Sequence, residues 1–203
     1  MSENNILGVI LAGGKSKRFG EDKSNVMLDG KTLIEHTLNK IKSKLNTIVI
    51  VSNNKTMKDH IVIKDCIDGQ LGPLVGVLSS MKWIKKNNYS FNWIATFPCD
   101  TPFFNNSLID KFIESSKLND SLLYFAKSEK KRHNIFGLWS LKLIEILEND
   151  IVKNDYRKVE KWANKIGVKT INIPYKEIDP FFNINTKEDL AEAEKNLIKY
   201  KND

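Results

Sequence analysis

Apolar positions along the chain fall into two recurring patterns. Residues 6–12, Ile-Leu-Gly-Val-Ile-Leu-Ala, form a short, continuous apolar run, which predicts a strand buried on both faces, as in a parallel sheet. Residues 31–44 instead carry Leu33, Ile34, Thr37, Leu38 and Ile41 at helical spacing, with Lys on the opposite face, which predicts an amphipathic helix. The two patterns then alternate. Strands are expected at 47–51, 61–63, 93–97, 122–126, 135–139 and 168–173, and helices at about 73–86, 105–118, 141–149 and 155–166. Thr186-Lys187-Glu188-Asp189 has the form of a capping box opening a last helix that runs to about Tyr200. The charged stretch Lys127–Arg132 reads as an exposed loop. Such alternation predicts a three-layer α/β/α fold with a mostly parallel sheet and helices on both faces. No repeat, Pro/Ser-rich linker or composition break divides the chain, so a single domain over residues 1–203 is expected, with its core at about 6–197.

Composition narrows the class. At 203 residues with 41% hydrophobic content, the chain is long enough and apolar enough to bury a core. No apolar run approaches the roughly 18–20 residues of a membrane span, and Met1-Ser2-Glu3-Asn4-Asn5 lacks the basic start of a secretory signal. Cys66 and Cys99 make neither a disulfide framework nor a metal spacing, so a reducing, cytoplasmic setting is expected. The net charge of +7 comes from 29 Lys and only three Arg, namely Arg18, Arg132 and Arg157, in a chain that also carries 22 Asn and 23 Ile. A Lys/Asn/Ile excess spread over the whole length reads as a solvated surface. Nucleic-acid faces gather their charge in patches, so no nucleic-acid partner is expected. Arginine cannot be replaced by lysine where a planar, bidentate grip on phosphate is needed, and the three arginines therefore stand out.

Four segments carry chemistry. The first is Leu11-Ala12-Gly13-Gly14-Lys15-Ser16-Lys17-Arg18-Phe19-Gly20-Glu21-Asp22-Lys23. A glycine-rich loop at the carboxyl end of a buried strand lets several backbone N–H groups approach one anion, and Arg18 and Lys23 add cationic side chains. A polyphosphate is the natural guest. Neither the Walker A spacing nor the dinucleotide fingerprint fits, because residue 9 is Val and the glycines stand at 13, 14 and 20. The second segment is Phe97-Pro98-Cys99-Asp100-Thr101-Pro102. Asp100, ending a strand, suits Mg²⁺, which takes one or two carboxylates plus substrate phosphates; by itself the segment, an Asp between two prolines, fits a turn better. Cys99 reads as a small buried apolar residue. The third runs from Asp65 through Gly72-Pro73-Leu74-Val75-Gly76, with Asp65 or Asp68 available to a base or ribose, or equally a loop carboxylate with no ligand. The fourth is Phe182-Asn183-Ile184-Asn185-Thr186, whose Asn side chains either hold the turn before the last helix or, by strand-like alternation, turn one toward the cleft. His36, His60 and His133 form no metal or triad spacing, and His36 and His60 read as surface residues.

In order and spacing, these segments resemble the molybdenum cofactor guanylyltransferase family from about Ile6 to Leu197. The signature at 11–23 is the most specific part, and Gly72–Gly76, Pro98–Pro102, Phe136-Gly137-Leu138-Trp139 and Asn183–Thr186 narrow it to the guanylyl branch. The resemblance implies a Rossmann-like nucleotide-diphospho-sugar transferase fold. It also implies transfer of GMP from GTP to the molybdenum–molybdopterin cofactor, with Mg²⁺ as the metal and pyrophosphate as the leaving group. By position it implies that Leu11, Ala12, Gly13 and Gly14 meet the nucleotide, with Asp65 beside it. Arg18 and Lys23 would act on the phosphates and Asp100 on the metal. Arg157, Asn183 and Asn185 would lie on the pterin side. Relatives often carry Asn just after the second strand. Here Ser52, Asn53 and Asn54 share that place; Asn53 is taken as the candidate and the choice among the three stays open. Relatives also commonly carry Pro where this chain has Asn134. Cofactor-delivery proteins or acceptor molybdoenzymes are the implied protein partners. The rival readings are cytidylyl transfer to the pterin, nucleotidyl transfer to a sugar phosphate, and a non-enzymatic GTP- or pterin-binding chaperone.

Overall fold

The computed structural model describes residues 5–13, 25–54, 57–69, 71–129, 131–176 and 178–202, with side chains in the last helix described through Leu197. Its centre is a seven-stranded sheet in the order β5-β4-β1-β6-β8-β7-β9. The strands are β1 (Ile6–Leu11), β4 (Ile48–Val51), β5 (Ile61–Ile63), β6 (Trp93–Pro98), β7 (Leu123–Ser128), β8 (Lys131–Ser140) and β9 (Lys169–Asn172). β1 pairs in parallel with both β4 and β6. β8 alone runs against its two neighbours.

Both faces of the sheet are covered, which is why β1 reads as a continuous apolar run. Ile6 and Ile10 enter one core with Leu38 and Ile41 of α1 (Leu33–Lys42) and Phe112 of α3 (Ser107–Leu118). Leu7 and Val9 enter the other, with α2 (Pro73–Lys86), α4 (Ile144–Val152) and α5 (Val159–Ile166). A third, smaller cluster joins Val26, Leu28 and Leu33 to Phe103, Ile184 and Ala193. It docks the last helix, α6 (Lys187–Asn202), beside the carboxyl ends of the strands. The expected capping box is formed: Asp189 Oδ2 accepts from the Thr186 N–H at 2.9 Å, and the Asp189 N–H donates to Thr186 Oγ1 at 3.1 Å.

Three expectations are corrected. The helix predicted at 31–44 begins two residues later, because Lys31–Thr32 (β3) pairs with Met27–Leu28 (β2) in a small hairpin. Asp29 and Gly30 supply its turn with φ of +50° and +73°, the left-handed pair that a tight hairpin turn requires. Thr32 then caps α1, with Glu35 returning a bond to the Thr32 N–H at 2.7 Å. His36 is half-buried and meets the Leu28 carbonyl through Nε2 at 2.7 Å, so it belongs to this hairpin and not to the surface. The third correction concerns Lys127–Arg132. This stretch forms the end of a β-hairpin, with Lys127 opposite Arg132 and Ser128 opposite Lys131. The polar side chains hid the strands: this end of the hairpin overshoots β6, although Lys127 still pairs with Asn172 of β9 and Ser128 is buried.

Candidate active site

The antiparallel course of β8 builds the site. β6 and β8 pair only as far as Thr96 opposite Gly137. The first residues of β8 therefore overshoot the end of β6 and stand as a wall above the carboxyl ends of the parallel strands, the usual place for a ligand in such sheets. Thr96 fixes the junction: its buried hydroxyl donates to the Ile135 carbonyl at 2.6 Å and accepts from Trp139 Nε1 at 2.9 Å. Gly137 is required there, since a Cβ would lie 2.7 Å from the Phe125 ring and 2.7 Å from Trp139 Nε1.

Between this wall and the end of β1 lies a cleft of about 690 Å³, within the roughly 300–1,000 Å³ typical of small-molecule sites. Its floor is Leu11, Ala12 and Gly13 from β1 and Pro98 to Thr101 from β6. The wall is Lys131 to Phe136, together with Arg157 to Glu160 at the start of α5, and Phe181 and Asn183 close the far side. Four of these residues are cationic (Lys131, Arg132, Arg157, Lys158) and two are acidic (Asp100, Glu160), an excess that suits an anionic guest.

Asp100 is half-buried at the end of β6. Its backbone carbonyl accepts from the Ile184 N–H at 2.9 Å, and its Oδ1 accepts from the Thr101 hydroxyl at 3.3 Å. Ile184 is fully buried, so it anchors the segment while Asn183 turns out into the cleft. Asn185 lies one step behind, giving its backbone N–H to Asp189 Oδ2 at 2.7 Å. Among the described residues no group of three or more His, Cys, Asp or Glu could hold a metal. The donor set at Asp100 therefore fits a hard cation that completes its shell with substrate phosphates and water. It does not fit an all-protein metal cage.

Asn53 and Asp65 are joined directly. Asn53 Nδ2 donates to Asp65 Oδ2 at 2.8 Å, and the Asp65 N–H donates to Asn53 Oδ1 at 2.9 Å. This reciprocal pair ties the end of β4 to the loop after β5. It abuts β1: a Cβ on Gly76 of α2 would lie 2.9 Å from Leu11 Cδ2 and 3.9 Å from Asp65 Oδ1. Ser52 is buried and accepts from the Asn54 N–H at 3.4 Å, which sets the turn. Gly14, Arg18 and Lys23, expected on the phosphates, lie outside the described residues.

Arg157 reaches the cleft but is engaged by its own loop. Nη1 donates to the carbonyls of Ile151 and Tyr156 at 2.8 and 3.1 Å, and Nη2 pairs with Asp155. Beneath it Asp150, 1% exposed, accepts from Trp162 Nε1 at 3.0 Å, Asn154 Nδ2 at 2.8 Å and Lys165 Nζ at 2.5 Å. Burial pushes this carboxyl up, but the three hydrogen bonds outweigh it and hold the group below the usual carboxylate range.

Two wall residues received no site role from the sequence. His133 is buried, stacks on Phe181 with ring centroids 3.9 Å apart, and meets Ser128 Oγ through Nε2 at 2.6 Å. Burial, helped by Lys131 and opposed by Asp179, lowers its pKa from 6.5 to about 4, so it is neutral near pH 7. Arg132 lies with its guanidinium carbon 5.8 Å from the Phe125 ring centroid. The scarcity of arginine marks it out in the sequence, but not its place in the wall.

A family model described as the MobA-like NTP transferase domain matches residues 8–166. A molybdenum cofactor guanylyltransferase of Nitrobacter hamburgensis is 32% identical over 193 residues, covering 93% of this chain and 92% of that protein. One from Rhizobium johnstonii is 33% identical over 200 residues, covering 96% and 94%. Among solved structures, molybdopterin-guanine dinucleotide biosynthesis protein A from Archaeoglobus fulgidus superposes with a TM-score of 0.76 at 23% identity, covering 95% of this chain and 99% of that one. A cytidylyl-type synthase from Anaerococcus prevotii, 4-diphosphocytidyl-2C-methyl-D-erythritol synthase, shares the fold with a TM-score of 0.69 at 13% identity, covering 95% and 96%.

Proposed function

The chain belongs to the MobA-like NTP transferase family, and from that premise we propose that it transfers GMP from GTP to the molybdenum–molybdopterin cofactor, releasing pyrophosphate. The observation that carries the reading is one cleft that combines a glycine-bearing strand end, Asp100 at the end of β6 and a cationic wall. Relatives that are 32–33% identical over nearly their whole length bear the guanylyltransferase name.

A terminal phosphate oxygen of the pterin attacks the α-phosphorus of GTP, and the bond to the β-phosphate oxygen breaks. The attacking group is already an anion, so no strong general base is needed. The barrier lies in bringing two anions together and in the charge that builds on the leaving group, so positioning and electrostatic stabilisation carry the catalysis. Leu11, Ala12 and Gly13 offer backbone to the nucleotide, and Gly14 continues that loop. The Asn53–Asp65 pair receives the base or ribose. Arg18 and Lys23 neutralise the phosphates. Asp100 would hold Mg²⁺, which when bound supplies charge neutralisation and orients the triphosphate. Asn183 and Asn185 serve the pterin side, and Arg157 shapes the wall and adds charge to it. No described helix is long and apolar enough to cross a membrane. We place the reaction in the cytoplasm, with a cofactor-delivery protein or an acceptor molybdoenzyme as the partner that takes the product.

The test is pyrophosphate release from GTP, CTP, ATP and UTP with molybdopterin, with and without Mg²⁺. Turnover is expected with GTP and Mg²⁺. Preference for CTP would overturn the guanylyl reading, and GTP binding without pyrophosphate release would overturn the enzymatic one.

A further inference from the structure

Among the described residues the cleft holds two guanidinium groups, and they are not equivalent. Arg157 spends both terminal nitrogens on Ile151, Tyr156 and Asp155. Arg132 donates only Nε, to Asn134 Oδ1 at 2.8 Å. Its Nη2 lies 4.0 Å from Glu160 Oε1, a contact at the limit of an ion pair and made by a glutamate side chain that is 70% exposed. Its Nη1 has no hydrogen-bond partner among the described residues. The side chain is nonetheless restrained, being 21% exposed, laid against the Phe125 ring and tethered by Asn134. A guanidinium fixed through Nε and stacked on an aromatic face keeps its two terminal N–H groups for a forked bond to an anion.

On the reading that this cleft joins a nucleotide to a phosphorylated pterin, we propose that Arg132 grips the terminal phosphate of the pterin acceptor, and that Asn134 is the positioning residue that aims it. Glu160 is the weak counter-ion that the incoming phosphate displaces.

The experiment measures molybdopterin binding by fluorescence titration without GTP, and in parallel the KM values of both substrates during turnover. Arg132→Gln is expected to weaken molybdopterin binding about tenfold or more, the effect of losing a charge-assisted fork, while the KM for GTP stays within about twofold. Arg132→Lys, which keeps charge without the fork, is expected to fall between. Asn134→Ala is expected to raise the acceptor KM roughly threefold with kcat unchanged, and Asn134→Gln, which retains an uncharged accepting oxygen, to restore it in part. Glu160→Gln is expected to tighten acceptor binding. Unchanged molybdopterin binding in Arg132→Gln, or an equal rise in the KM for GTP, would overturn the assignment. Failure of the wild-type chain to release pyrophosphate from GTP would instead overturn the proposed function. The binding titration decides Arg132 in that case too: a tenfold loss upholds it and no loss rejects it.

Discussion

Two regions meet at Asp100, and they are built differently. On one side the ends of β1, β4 and β5 form an open edge, where short loops leave buried parallel strands and the exposed Asn53 holds Asp65 in a reciprocal pair. On the other side the β7–β8 hairpin and the start of α5 form a raised wall, in which His133 and Phe181 are buried and Arg132 is half-buried. The edge is a product of the parallel α/β plan, so its ligand groups lie wherever strands end. The wall exists because one strand runs backwards and is longer than its neighbour. A nucleotide needs the first; a second, different substrate needs something the parallel plan does not provide.

The contrast can be broken at several points. Asp100 lies where both regions meet, and on the proposed metal role Asp100→Ala should reduce kcat by roughly a thousandfold, as loss of a principal electrostatic element does, with an unchanged melting temperature. Near-full Mg²⁺-dependent turnover would remove Asp100 from the site. The wall should also titrate with folding. The unfolded His133 takes up a proton near pH 6.5, whereas the folded group does so only near pH 4. The unfolded state therefore binds more protons between these values, and stability is full above pH 6.5 and falls as the pH drops toward 4. The loss approaches about 3 kcal/mol at the acid end. In His133→Gln the denaturation free energy should be flatter across that window; equal slopes in the two proteins would show that His133 is not held neutral. Asp150→Ala, which leaves the Trp162 and Lys165 donors beneath the wall without their acceptor, should cost about 2 kcal/mol by urea denaturation. No change would mean that water replaces the carboxylate fully. The smallest effect belongs to the open edge. Asn53→Ala should raise the KM for GTP about fivefold, the value of one hydrogen bond, and leave the acceptor KM unaltered.

The sequence was informative where burial dictates pattern. β1, β4, β6 and α2 follow from apolar runs and helical spacing because both sheet faces are covered. Thr186 and Asp189 were recognisable because a capping box is local chemistry. The β2–β3 hairpin was lost because four strand residues carry almost no periodicity; Asp29-Gly30 was its only signal. The wall was lost for another reason. Lys127 pairs with Arg132 and Ser128 with Lys131 beyond the edge of β6, and their polar side chains give this hairpin end the composition of a loop. Asp100, Asp65 and Asn183 could be named from motif position. That Asn53 bonds Asp65, or that Arg157 is engaged by its own loop while Arg132 is not, depends on distances between segments far apart in the chain.

The most direct test of a divided cleft is a crystal structure of the chain with Mg²⁺ and a non-hydrolysable GTP analogue. The guanosine is expected against Leu11 to Gly13 and the Asn53–Asp65 pair, the metal on Asp100, and the face of Arg132 left open for the acceptor. A guanine base seated between Arg132 and the start of α5 would contradict it.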